Sequence, residues 1–129
     1  MNTVKVPVSI GELVDKITIL EIKAERIADA AKRDNVKLEL EGLLAIWRGI
    51  EESHPEVADL RRRLRVVNEA MWDVQDALRA REAAQDFDAG FIELARAVGR
   101  TNGERVELKN AINRLAGSMF IEEKEYRAG

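Results

Sequence analysis

The chain has no cysteine, one histidine and two prolines among its 129 residues. Without cysteine there is no disulfide, no thiolate metal site and no cysteine nucleophile. That absence fits a reducing cytoplasm, which is the expected location. The single histidine, His54, excludes a two-histidine metal site and the paired-histidine motif of zinc proteases. No metal or other cofactor is expected. No apolar run approaches the roughly 18 residues that a membrane span requires. The start, MNTVKVPVS, lacks the apolar core of a signal peptide. The net charge is −3, so no global basic field exists to wrap nucleic acid. What is present is a globular composition, 46% apolar and 35% charged. No internal repeat, low-complexity tract or long linker divides it, so residues 1–129 are expected to form one domain.

Helical periodicity covers most of the chain. Residues 2–8 alternate, with Val4, Val6 and Val8 on one side. That pattern suits a short strand or an extended arm, and Pro7 confines a strand to an edge. Ser9-Ile10-Gly11-Glu12 is a capping box. Ile10, Leu13, Ile17, Leu20, Ala24, Ile27 and Ala31 follow at spacings of three and four, an unbroken apolar stripe. Ile19 and Ile22 lie off it, so the first helix is apolar on two sides. Such a helix is central in a bundle or crosses a dimer contact, and a homodimer is expected. Asp34-Asn35 reads as the next boundary. Val36, Leu40, Leu43, Trp47 and Ile50 then mark a second helix that contains Gly42 and Gly49, two positions open to a close neighbour. Ser53-His54-Pro55-Glu56 reads as a helix start. Val57, Leu60, Leu64, Val67, Met71, Val74 and Leu78 run on from it to about residue 84.

The fourth segment begins at Asp86 or Asp88. Its stripe of Phe91, Leu94, Val98, Thr101, Arg105, Leu108, Ile112 and Leu115 is apolar at both ends and polar in the middle. Thr101-Asn102-Gly103-Glu104 resembles another capping box, so a break or kink is expected there. Gly117 suits a helix stop. The tail from Ser118 carries Met119 and Ile121 in alternation and is read as irregular, with pairing to Val4–Val8 as an option. The predicted fold is all-α, a bundle of about four long helices with an extended N-terminal segment.

The polar interruption carries the chemistry. Asn102, Arg105, Lys109 and Asn113 share one side of a helix where the apolar stripe indicates core. Two cations and two amides there suit a carboxylate or phosphate. The competing reading sends Arg105 and Lys109 past the core edge, to solvent or to Glu12, Glu104 or Glu107. Lys16 on the first helix either pairs with Glu12 or faces inward beside them. On the third helix Arg65, Asn68, Trp72, Asp76 and Arg79 form a second polar line. A tryptophan among such residues serves as a stacking platform or a subunit contact, or packs at the margin of a solvated face. Arg61-Arg62-Arg63-Leu64-Arg65 is the one dense basic run, but its side chains fan around the helix and acids lie nearby. It does not make a nucleic-acid stripe. No nucleophile–histidine–acid set and no phosphate-cradling glycine loop is present.

Four blocks carry a resemblance. They are SIGELVDKITILEIKAERI (Ser9–Ile27), VNEAMWDVQDALR (Val67–Arg79), FIELARAVGRTNGERVELKNAIN (Phe91–Asn113) and GSMFIEEKEY (Gly117–Tyr126). They resemble an uncharacterised family of small bacterial proteins that carries only a domain-of-unknown-function label. The resemblance implies genes near those for surface polysaccharides and glycosyltransferases. The implied role is an accessory one in cell-envelope glycan assembly. The family pattern has an aromatic at the position of Gly99 and an acid at that of Gly103, and this chain departs from it at both. Glu12–Arg26 is also similar, more loosely, to the first helix of all-helical chorismate mutases, which implies a metal-free pocket for a dicarboxylate. In that case Asn102, Arg105, Lys109, Lys16 and Arg26 furnish it by orientation and electrostatics. Three functions follow as expectations. The first is a non-enzymatic accessory protein with a protein partner. The second is a binder or enzyme for a small anion. The third and weakest is a nucleic-acid binder.

Overall fold

The computed structural model describes residues 2–118. Within them four helices follow one another: α1 Ile10–Arg26, α2 Ala30–Ser53, α3 Val57–Ala83 and α4 Ala89–Ala116. The connections 27–29, 54–56 and 84–88 are short. Three of the four helices open on a side-chain cap. Ser9 Oγ accepts from Glu12 N at 3.0 Å, Asp29 from Lys32 N at 2.9 Å, and Asp88 from Phe91 N at 3.2 Å. Before α4, the Phe87 and Phe91 rings meet edge-to-face at 5.1 Å and brace its first turn.

α1 packs against α2, α3 and α4, which accounts for its two apolar sides. The core gathers Leu13, Val14 and Ile17 from α1 with Trp47, Val57, Leu64, Leu108 and Ile112. Trp47 is 1% exposed and lies beneath the Arg61 guanidinium at 5.9 Å. Its indole Nε1 meets no acceptor among the described residues. Because α1 buries both apolar sides inside one chain, its pattern no longer speaks for a dimer.

Several boundaries differ from the sequence expectation. The first break falls at residues 27–29, not at Asp34-Asn35, because Asp29 supplies the α2 cap. Ala31 therefore belongs to α2. Ser53 closes α2 and does not start α3, whose first residues have no side-chain cap. α4 runs unbroken through Thr101-Asn102-Gly103-Glu104, since tertiary burial of Val106, Leu108 and Ile112 outweighs a local cap signal. Residues 2–9 are not a strand, and Val4, Val6 and Val8 stand exposed. The tail expected to pair with them lies outside the described residues. Gly42 and Gly49 have open space beside them, not a neighbour.

Gly11 is a helical glycine set against the backbone of another helix. A Cβ there would collide with the Lys109 carbonyl oxygen and come within 2.8 Å of Asn113 Oδ1. Gly11→Ala is expected to cost about 1–3 kcal/mol, several degrees of melting midpoint. Gly99 has open space beside it, so Gly99→Ala should raise stability by up to about 1 kcal/mol. Thermal melts followed by circular dichroism would separate the two. Acid supplies a further check. The Phe91 amide bonded to Asp88 holds that carboxyl below its ordinary value, with the Arg81 charge assisting. Its contribution is therefore complete above the ordinary carboxylate range and is lost as pH falls through the lowered value. Melts from about pH 5 to about pH 2 should show Asp88→Asn, which keeps an acceptor, with a flatter acid limb than wild type.

Candidate functional site

The polar residues of α4 are built into a seam with α1. Ser118 Oγ accepts from Ile10 N at 3.3 Å, and Asn113 Oδ1 from Gly11 N at 2.6 Å. Lys109 Nζ lies 2.8 Å from Glu12 Oε2, and Arg105 grips both oxygens of Asp15 at 2.9 and 2.5 Å. As α1 advances from Ile10 to Asp15, its partners step back from Ser118, just past α4, to Asn113, Lys109 and Arg105 within it, so the two helices run antiparallel. The missing Cβ of Gly11 is what lets the backbones meet this closely. α3 joins through Asn68, whose amide donates to Asp15 Oδ1 and to Thr18 Oγ1, each at 2.9 Å. The Thr18 hydroxyl in turn donates to the Asp15 carbonyl at 2.7 Å.

Burial makes this seam consequential. The Asp15 side chain is 2% exposed and that of Lys109 5%, against 28% for Arg105. A carboxylate so buried needs a cation and further donors, and Arg105 with Asn68 supplies both. The expected anion ligand of Arg105 is thus matched by a carboxylate of the chain itself, and the same holds for Lys109 and Glu12. Asn102 lies half-buried one turn before Arg105 and does not join the seam. Lys16 does not join it either. It is exposed and pairs with Glu39 of α2 at 3.0 Å, because it sits about 100° round the helix from Asp15.

The two polar lines read separately in the sequence converge on one cleft. Arg105 from α4 and Asn68, Met71, Trp72 and Gln75 from α3 line a cavity of about 210 Å³ with Ile19, Ile22 and Lys23 of α1. Arg26 lies over the Trp72 ring at 5.7 Å and is itself held by Asp73 at 2.5 Å. Asp76 and Arg79 are not at the cleft. They form an exposed pair with each other at 2.5 Å. A larger groove of about 540 Å³ between α3 and α4 is lined by Leu60, Val66, Leu108 and Ala111 with Arg63, Glu104 and Glu107, and holds none of the expected site residues.

Three of the four arginines in the basic run of α3 are paired with acids. Arg61 bonds Glu21 at 3.2 Å, Arg62 bonds Asp59 at 2.6 Å, and Arg65 bonds Glu25 at 2.6 Å and Glu69 at 2.9 Å. The bonds to Glu25 and Glu69 raise the Arg65 guanidinium well above its ordinary value. Among the described residues no group of three or more His, Cys, Asp or Glu is placed to hold a metal ion. No helix among them is long and apolar enough to cross a membrane.

A model of a family of unknown function, DUF6165, matches residues 4–129. The chain belongs to this family. Comparison with curated proteins and with solved structures returns no match. DUF6165 membership agrees with the resemblance read from the four sequence blocks, at the level of a family without an assigned activity.

The seam predicts an asymmetry. Arg105→Ala leaves a buried carboxylate without its cation and should cost about 3–5 kcal/mol. Asp15→Leu leaves a guanidinium that can turn toward solvent and should cost less. The Asp15→Leu/Arg105→Met double variant should be more stable than Arg105→Ala alone. Urea denaturation of the three variants and wild type ranks their stabilities.

Proposed function

We propose that the protein is a non-enzymatic helical accessory protein that acts by presenting binding surfaces. The observation that carries this reading is the self-pairing of its strongest candidate groups. Arg105 is matched by Asp15 and Lys109 by Glu12, so the α4 cations serve first to join helices. A dicarboxylate bound in the manner of the chorismate mutases would have to displace Asp15 from the Arg105 fork. It would leave that carboxylate buried and unpaired. The link to cell-envelope polysaccharide assembly rests on the family resemblance. The family model itself carries no function.

One observation favours a second reading, a small ligand in the α1–α3–α4 cleft. Trp72 offers a ring face, Lys23 a cation, and Asn68 and Gln75 amides, around about 210 Å³. That set suits a compact polar ring bearing negative charge, such as a sugar phosphate. The two readings separate in a thermal-shift screen against sugar phosphates, nucleotide sugars and dicarboxylates. A ligand at a hundred times its Kd contributes about 2.7 kcal/mol, a shift of several degrees. Trp72→Ala and Lys23→Ala are the controls, since neither residue belongs to the buried seam. A shift in wild type that both variants lose would establish the cleft ligand and displace the accessory reading. No shift from any class of compound is the outcome expected here.

A further inference from the structure

α2 and α3 both pack on α1, and a cavity of about 310 Å³ lies where the three helices meet. Its wall holds Glu21 of α1, Trp47 and Glu51 of α2, and Arg61, Arg62 and Arg65 of α3. It shares no lining residue with the α1–α3–α4 cleft.

The polar groups of this wall are unequally satisfied. Arg61 is held by Glu21, and Arg65 by Glu25 and Glu69. Arg62 is held by Asp59, in a pair whose side chains are 74% and 65% exposed. So exposed a pair contributes little, and Arg62 exchanges it readily for another anion. Glu51 forms no ion pair among the described residues. Trp47 is 1% exposed, and its indole Nε1 meets no acceptor among them. A buried donor left without an acceptor is costly, and a partner from outside the chain accounts for it.

Three deficits therefore share one wall: a neutral donor, a weakly held cation and a carboxylate without a cation. A plain anion answers the first two and is repelled by Glu51. A plain cation answers the third and is repelled by the arginines. A compact molecule carrying both a carboxylate and an ammonium answers all three. Trp47 and Glu51 stand four residues apart on one side of α2, about 6 Å along its axis, a span that suits the two charged ends of one small molecule.

We propose that this cavity binds a small zwitterion of the α-amino-acid class. Its carboxylate accepts from Trp47 Nε1 and from the Arg62 guanidinium, and its ammonium donates to Glu51. The Arg61 guanidinium lies over the Trp47 ring at 5.9 Å, so entry to the indole requires it to move. Its bonds to Glu21, at 3.2 and 3.3 Å, are long for a charged pair, and it yields at low cost. The inference goes beyond the accessory reading and does not rest on it.

Proton–nitrogen correlation spectra test it through the indole N–H signals of the two tryptophans, which Trp72→Phe assigns. The probes are the common L-amino acids at up to about 10 mM, with acetate and methylammonium as the two halves of the ligand. At least one amino acid should move the Trp47 signal saturably, and neither half should do so at the same concentration. Glu51→Gln and Arg62→Gln should each weaken that binding at least about tenfold. Both positions are exposed, so both variants should melt with wild type. A Trp47 signal that no amino acid moves would overturn the proposal and leave the indole to water. So would a signal that acetate moves as far as the amino acids do, or binding that both variants keep intact.

Discussion

The carboxylate of Asp15 is the constraint on which the arrangement of three helices depends. A charge with 2% of its side chain exposed is tolerable only if its partners arrive together. They come from different elements, Arg105 from α4 and Asn68 from α3, while Asp15 itself stands on α1. Apolar packing among these helices is non-directional and would accept several registers. The seam accepts one. Sliding α4 by a single turn, about 5.4 Å, would carry Arg105, Lys109 and Asn113 away from Asp15, Glu12 and the Gly11 amide at once. The seam therefore contributes to uniqueness of the fold more than to net stability.

The same economy decides what the charged residues are free to do. Arginine at position 105 and lysine at 109 have the chemistry of an anion site, yet each faces an acid of α1 at hydrogen-bonding distance. Arg105 also lines the cleft beside Trp72, Lys23 and Gln75. Any ligand there meets a guanidinium already neutralised by Asp15. Lys23 and the Trp72 face would then carry recognition, with Arg105 supplying at most a hydrogen bond. This ordering favours a weakly anionic, ring-shaped ligand over a dicarboxylate.

The helices were legible because apolar residues recur at three and four along nearly every segment. Their ends were less so. Ile27 and Ala31 continue the α1 stripe across the true break, and periodicity says nothing of the Asp29 cap that ends it. At Thr101-Asn102-Gly103 the error ran the other way. A local cap signal was present, but burial from Val106 onward keeps the helix whole. The polar interruption of α4 was visible, and Glu12 stood among the acids considered for its cations. Asp15 was hidden as one acid among 24 acidic residues. A signal did exist. Gly11, Asp15 and Thr18 fall at spacings of four and three, a line of small and polar residues whose counterpart on α4 is Arg105, Lys109 and Asn113. Neither line is informative alone, because what identifies them is their matching across two helices more than 80 residues apart in sequence.

α2 stands outside this scheme. Its attachment to α1 is apolar, through Trp47, Leu40, Leu43, Leu44 and Ile50, with one exposed salt bridge, Lys16 to Glu39. An exposed pair of that kind contributes at most about 1 kcal/mol. Burial of Trp47 holds the helix down but fixes its orientation weakly, since dispersion contacts tolerate small rotations. Of its end charges, Glu51 lines a pocket with Trp47, Arg61 and Arg62. The chain thus spends its polar specificity on joining α1, α3 and α4.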